Sequence, residues 1–297
     1  MKKLIAHLKL MRPANVVTAV ADILAGFAAS GLALQWIESG DFKLELFWLV
    51  LTTIGLYAGG VVFNDVFDAE LDRTERPERP IPSGQATLLS AGILGAILLV
   101  LGILSAWQVS LASLIVAVLV AACALIYDAW GKHQSWFGPI NMGMCRGGNL
   151  LLGVSAIPAA LGEVWYISLI PIVYIAAITM VSRGEVHGGD RGIMRAAGLM
   201  YGLVILSIVL LAFFFSPDYW QVLPFLALLA YFILPPLFKA IREPAPKHIG
   251  LAVKAGVLAL IIMDAALATA FAGWLYGLIV LLLFPFSRLV AKAFAVT

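Results

Sequence analysis

Asn64, Asp65, Asp68 and Asp72 set four oxygen-bearing side chains at the end of a long apolar stretch. On a helix, Asn64, Asp68 and Asp72 at i, i+4 and i+8 share one face roughly three turns long, and Asp65 falls beside Asp68 at i+3. Such a cluster is costly beside lipid unless it is solvated, paired or bound to metal. Three or four hard oxygen donors on one face at a membrane surface suit Mg²⁺ held against a phosphorylated substrate. The chain continues through Arg73 to Arg79-Pro80-Ile81-Pro82-Ser83-Gly84, and arginine can grip two phosphate oxygens at once. A solvated mixed-charge loop accounts for the charges between 65 and 79. It does not account for the alignment of Asn64, Asp68 and Asp72.

A second polar run reads Ser182-Arg183-Gly184-Glu185-Val186-His187-Gly188-Gly189-Asp190-Arg191. Glu185 and Asp190 can supply two metal-binding oxygens, and His187 can act as a ligand or a proton acceptor. Arg183 and Arg191 are candidate phosphate clamps. The bland alternative is a glycine-rich turn with solvated charges. Lys132, shortly after Tyr127, either holds a diphosphate as a point charge or marks a membrane border. Arg146 sits inside an apolar segment, where an isolated cation is costly, so it is expected to face the bundle interior near Asn141 and Asn149. Asp22 shares its face with Asn15 and Thr18. Asp264 reads as a buried, hydrogen-bonded helix contact.

The elements that must position these groups are membrane helices. The chain of 297 residues is 62% apolar and only 12% charged, with a mean hydropathy of +1.01, whereas soluble domains carry about 25% charged residues. Ten segments are long enough, or nearly so, to cross a bilayer: near 15–34, 46–64, 88–107, 109–128, 139–160, 165–183, 194–215, 219–239, 249–272 and 273–291. The third and fourth, and the last two, are joined so closely that each pair reads as a helical hairpin. The first segment is long enough to span, which favours a membrane helix over a cleaved signal peptide. A net charge of +2 without a basic stripe excludes a nucleic-acid partner. Cys123 and Cys145 have neither metal nor disulfide spacing and are expected to pack.

Cations sort by connection. Of 19 Lys and Arg, Lys43 alone is assigned to the odd-numbered loops. The positive-inside rule therefore puts both termini and the loops carrying both polar runs on the cytoplasmic side of a bacterial plasma membrane or its equivalent. Four spans separate the two runs, so both emerge on one face and can share one substrate.

Asn64-Asp65-x-x-Asp68-x-x-x-Asp72-Arg73, followed by Arg79-Pro80-Ile81-Pro82-Ser83-Gly84, resembles the first aspartate-rich motif of the UbiA superfamily of intramembrane prenyltransferases. Arg12-Pro13-x-Asn15 and the late Asp264 extend the resemblance loosely along the chain. The second run departs from the family's Asp-x-x-Asp-x-x-Gly-Asp: Gly189-Asp190-Arg191 matches its end, but Val186 and Arg183 stand where carboxylates would. That variant, with Cys145-Arg146-Gly147-Gly148-Asn149, is similar to the EboC type within the superfamily.

The resemblance implies one all-α membrane domain over residues 1–297, with nine or ten helices around a central cavity open to lipid. It implies Mg²⁺-dependent transfer of an isoprenyl group from a prenyl diphosphate to an aromatic or other hydrophobic acceptor. By the same likeness, Asp68, Asp72 and Asp190 are catalytic, with Asn64, Asp65, Asp68, Asp72, Glu185 and Asp190 as metal ligands. Arg73, Arg79, Lys132, Arg183 and Arg191 would hold the diphosphate. The competing expectation, supported by the irregular second run, is a non-catalytic binder of a lipid or natural-product precursor. An ion-coupled transporter would place carboxylates mid-membrane, where Asp22 and Asp264 show no obvious partner in sequence.

Overall fold

The computed structural model describes residues 2–41, 43–185 and 188–294. Among them, the regular elements are helical, in the order α1 (Lys2–Leu10), α2 (Pro13–Ala29), α3 (Leu32–Ser39), α4 (Leu44–Phe67), α5 (Ala69–Glu75), α6 (Leu88–Trp107) and α7 (Leu111–Ala129). The second half continues with α8 (Phe137–Val154), α9 (Pro158–Val164), α10 (Leu169–Ser182), α11 (Arg191–Phe215), α12 (Leu223–Arg242), α13 (Pro246–Leu281) and α14 (Leu283–Phe294). The architecture is an all-α membrane bundle, as composition requires: with no water in hydrocarbon, each segment must satisfy its own backbone.

By length and apolarity, seven helices among the described residues can cross a membrane, or eight when α1 and α2, bent by 41° at their junction, count as one span. Two features account for the difference from the nine or ten segments read from sequence. The 139–160 segment forms α8, whose Asn141, Arg146 and Asn149 are buried inside the bundle. The 249–272 and 273–291 segments run together as one helical stretch interrupted at Gly273, which has φ 77° and ψ 171°. Gly277, just past that break, lies against Thr269 and the carbonyl of Ala265. The chain therefore folds back on itself there, as the expected hairpin does. The Trp274 N–H freed by the break donates to Gln221 Oε1 at 2.9 Å.

Without a hydrophobic force between helices in lipid, contact depends on close approach at small residues. The α2–α8 pair meets at Gly26 and Gly153, where a Cβ on Gly153 would stand 2.9 Å from the Gly26 Cα and 3.0 Å from the Phe27 nitrogen. Backbone on that side cannot swing away, so Gly153→Val is expected to lower stability by about 1–3 kcal/mol, measured by unfolding in detergent. An unchanged unfolding curve would show that the two helices need not touch.

Candidate active site

The first polar run keeps its predicted register because the helical ladder hardly breaks between α4 and α5. The Asp68 N–H donates to the Asn64 carbonyl at 2.9 Å, and the Asp72 N–H to the Asp68 carbonyl at 2.8 Å. Pro77 follows α5, and the chain turns back through Arg79 to a Thr87–Ser90 capping box that starts α6. That return carries the Arg79 guanidinium over the carboxylates: its Nη1 lies 2.7 Å from Asp72 Oδ2 and 3.3 Å from Asp65 Oδ1. Beyond α7, a single turn of 3-10 helix at Gly131–His133 presents Lys132, whose ammonium pairs with Asp68 Oδ1.

Two groups in this cluster were not assigned from sequence. Arg12, at the α1–α2 bend, donates to Asp65 Oδ1 at 2.6 Å. Asp128, buried at the end of α7, accepts from Asn64 Nδ2 at 2.8 Å. Asp128 carries the same signal as the first run, an acid closing an apolar segment, and stands four residues before Lys132. Arg12 is the one non-glycine among the described residues with positive φ, at 45°. A strained backbone of this kind costs of order 1–3 kcal/mol and persists where its surroundings hold it; here Pro13 begins α2 and Asp65 anchors the guanidinium.

Asn64, Asp65, Asp68, Asp72, Arg79 and Lys132 are thus brought together, with Arg12 and Asp128 added. Asp65, Asp72 and Asp128 are each only 4% exposed; Arg12 and Arg79 compensate the first two charges, and the Asn64 amide donates to the third. Arg73 points elsewhere and pairs with Glu70 on the solvent side of α5 at 2.7 Å.

The second run contributes less. Asp190 caps its own helix, accepting from the Gly192 N–H. Arg191 donates to the Arg242 carbonyl at 3.2 Å. Arg183 donates to the carbonyls of Ser135 and Gln134, at 2.7 and 2.6 Å, tying the end of α10 to the turn that carries Lys132. It therefore supports that lysine from behind. Glu185 lies beside Gly250; burial pushes its carboxyl up from its ordinary range, and the Arg76 charge opposes that rise. Arg76 follows α5, so the two runs do face one another electrostatically. Val186 and His187 lie outside the described residues.

The donor set is all hard oxygen, which is Mg²⁺ chemistry. Among the described residues, no three His, Cys, Asp or Glu side chains converge as a ready-made metal cage. Mg²⁺ is ordinarily held by one or two carboxylates together with substrate phosphates and waters, so carboxylates paired with cations that can themselves bind phosphate fit the ion and its phosphorylated substrate together.

A separate polar group lies within the bundle. Arg146 on α8 forms an ion pair with Asp22 on α2, Nε to Oδ2 at 3.0 Å, and donates to Thr18 Oγ1 and to the Thr18 carbonyl at 3.3 and 3.0 Å. Its Cζ stands 5.8 Å from the Tyr57 ring centre. Asn149 donates to the same Asp22 oxygen at 2.8 Å. Asp264 on α13 faces Asp22. Asp22 and Asp264, which showed no partner in sequence, therefore meet around one buried guanidinium. Asn141 lies apart from this group: in its amide orientation that satisfies both ends, it bonds the Cys123 carbonyl and the Tyr127 N–H, each at 3.1 Å.

Residues 23–248 match the UbiA prenyltransferase family. The chain is 31% identical over 215 residues to a digeranylgeranylglyceryl phosphate synthase of Methanothrix thermoacetophila, covering 69% of this chain and 76% of that one. Its fold superposes on a solved digeranylgeranylglyceryl phosphate synthase with a TM-score of 0.67, at 22% identity, over 92% of this chain and 99% of the other. It also superposes on a UbiA homologue from Archaeoglobus fulgidus, solved with DMAPP and Mg²⁺, with a TM-score of 0.63 at 12% identity, over 88% and 98% of the two chains. A UbiA-type fold and a sequence match over most of its length give one conclusion: the chain belongs to the UbiA prenyltransferase family.

Proposed function

We propose that this prenyltransferase uses Mg²⁺ and a prenyl diphosphate donor, and attaches the prenyl group to a lipid-like acceptor whose polar end carries phosphate. The observation that carries the reading is the interlocked cluster in which Asp65, Asp68 and Asp72 are held by Arg12, Arg79 and Lys132. Asp68, Asp72 and Asn64 would hold the metal, which when bound supplies Lewis-acid neutralisation of the leaving diphosphate. Arg79 and Lys132 are placed to turn from carboxylate to phosphate oxygens. Asp65 retains Arg12 and so keeps the α1–α2 bend against α4. Asp128 orients the Asn64 amide through its Nδ2–H and leaves the amide oxygen to face the ligand. Apolar walls around the cluster exclude water from the allylic cation until the acceptor captures it.

A phosphate-bearing glyceryl acceptor is favoured over the aromatic ring that the resemblance implied, because the relative's name describes a glyceryl phosphate product. A further cation supports it: Arg76, whose charge reaches Glu185, remains beyond those needed for a diphosphate. The distribution of Lys and Arg supports a cytoplasmic position for both polar runs and both termini.

The test is turnover by purified protein with radiolabelled geranylgeranyl diphosphate, Mg²⁺ and a panel of glyceryl phosphate ethers and aromatic acceptors. Diphosphate release with prenylated glyceryl product, abolished by EDTA, is the expected result. Mg²⁺-dependent donor binding without product across the panel would favour the non-catalytic binder, for which the self-capping Asp190 is the best support.

A further inference from the structure

Between α12, α13 and α14 lies a cavity of about 560 Å³, none of whose lining residues belongs to the carboxylate cluster. Its walls include Phe232, Leu258 and Phe284, and the rings of Pro235 and Pro236 inside α12. Its charged lining is cationic: Lys239, Lys254 and Arg288, one from each helix; Tyr231 and His248 complete the polar wall. No carboxylate lines it. Glu243 engages His248 Nδ1 at 3.3 Å, and among the described residues none of Lys239, Lys254 and Arg288 pairs with an acid. The Arg288 guanidinium lies over the Phe284 ring, 5.9 Å from its centre.

The depth of Lys254 identifies what faces it. Exposed Trp107, Trp165, Trp220 and Trp274 stand at helix ends that connectivity puts on one side of the bundle. Such aromatic side chains mark a membrane–water interface. A hydrocarbon layer of about 30 Å equals about 20 helical residues at 1.5 Å each. Counted back from the Gly273 break along α13, that length ends at Lys254. The lysine therefore sits at the opposite border, at the level of lipid phosphates, above an apolar wall. Three unneutralised cations converging there repel one another until an anion joins them.

We propose that this groove is a binding site for one anionic phospholipid, its phosphate between Lys239, Lys254 and Arg288 and an acyl chain along Phe232, Leu258 and Phe284. Basic pockets between membrane helices recognise anionic headgroups in this way. A zwitterionic lipid would bring its own cation into a site that already has a surplus.

The experiment is native mass spectrometry of the full chain in detergent, after exchange into phosphatidylglycerol or phosphatidylcholine. Phosphatidylglycerol should be retained at least about ten-fold better. Lys239→Gln, Lys254→Gln and Arg288→Gln combined should erase the preference, Lys254→Arg should keep it, and inorganic phosphate should not displace the lipid. Should the triple variant fail to fold, Lys254→Gln alone must cut retention by at least about three-fold. Equal retention of the two lipids, displacement by inorganic phosphate, or undiminished preference in the glutamine variants would overturn the proposal.

Discussion

Asp68→Ala and Asp72→Ala should each lower prenyl transfer by at least about a hundred-fold, the scale on which lost metal or charge-stabilising groups act. The two residues stand one helical turn apart on the α4–α5 junction, and each now engages a cation able to bind phosphate, Lys132 for Asp68 and Arg79 for Asp72. Removing either carboxylate takes away a hard oxygen donor and leaves that cation without its resting partner. Asp68→Asn is the cleaner variant, since it keeps volume and deletes only charge. Initial rates measured against Mg²⁺ concentration, alongside an unfolding curve, separate lost chemistry from lost structure. Full rates in both alanine variants, with the fold intact, would remove the cluster from the reaction.

Arg146→Ala should destabilise the bundle by about 3–5 kcal/mol, the cost of breaking a buried ion pair from one side. Asp22 Oδ1 and both Asp264 oxygens already lack a hydrogen-bond partner, and both residues are fully buried. Without the guanidinium, two carboxyl groups would face each other in a region with no other cation among the described contacts. The effect should appear in unfolding experiments even in the absence of substrate. Combining Arg146→Met with Asp22→Asn should restore part of the loss, because exchanging a whole buried pair for neutral groups is far less costly than stranding one member. If the double variant is no more stable than Arg146→Ala, packing rather than charge is the reason for Arg146.

The first polar run was legible because helix periodicity is local: spacing alone puts Asn64, Asp68 and Asp72 on one face, and the ladder across Asp68 preserves it. Arg79 was legible as a cation beside acids, and Lys132 as a point charge for phosphate or a mark of the membrane border. What could not be read was long-range pairing. Arg12 reaches Asp65, Asp128 reaches Asn64, and Arg146 joins Asp22, all from distant helices whose packing is set by glycine contacts rather than by charge pattern. Arg73, Arg183 and Arg191 show the converse. Each is a basic residue beside an acidic run, but Arg73 answers to Glu70 and the other two to backbone carbonyls. Proximity in sequence overstated their part in the cluster. Gly273 was read as a boundary and breaks the helix, while α8, carrying Asn141, Arg146 and Asn149, is buried in the bundle and too polar to be counted as a span by apolarity.

One consequence of the cross-paired cluster concerns the order of events. Asp72 and Arg79 each occupy the other's binding capacity, as do Asp68 and Lys132. An anion that draws the basic member away leaves the acidic member free for a cation, and the converse holds equally. Affinities for the two kinds of ligand are therefore linked, each raising the other by the same factor. Neither gains as much by arriving alone, so the resting site guards itself against partial filling.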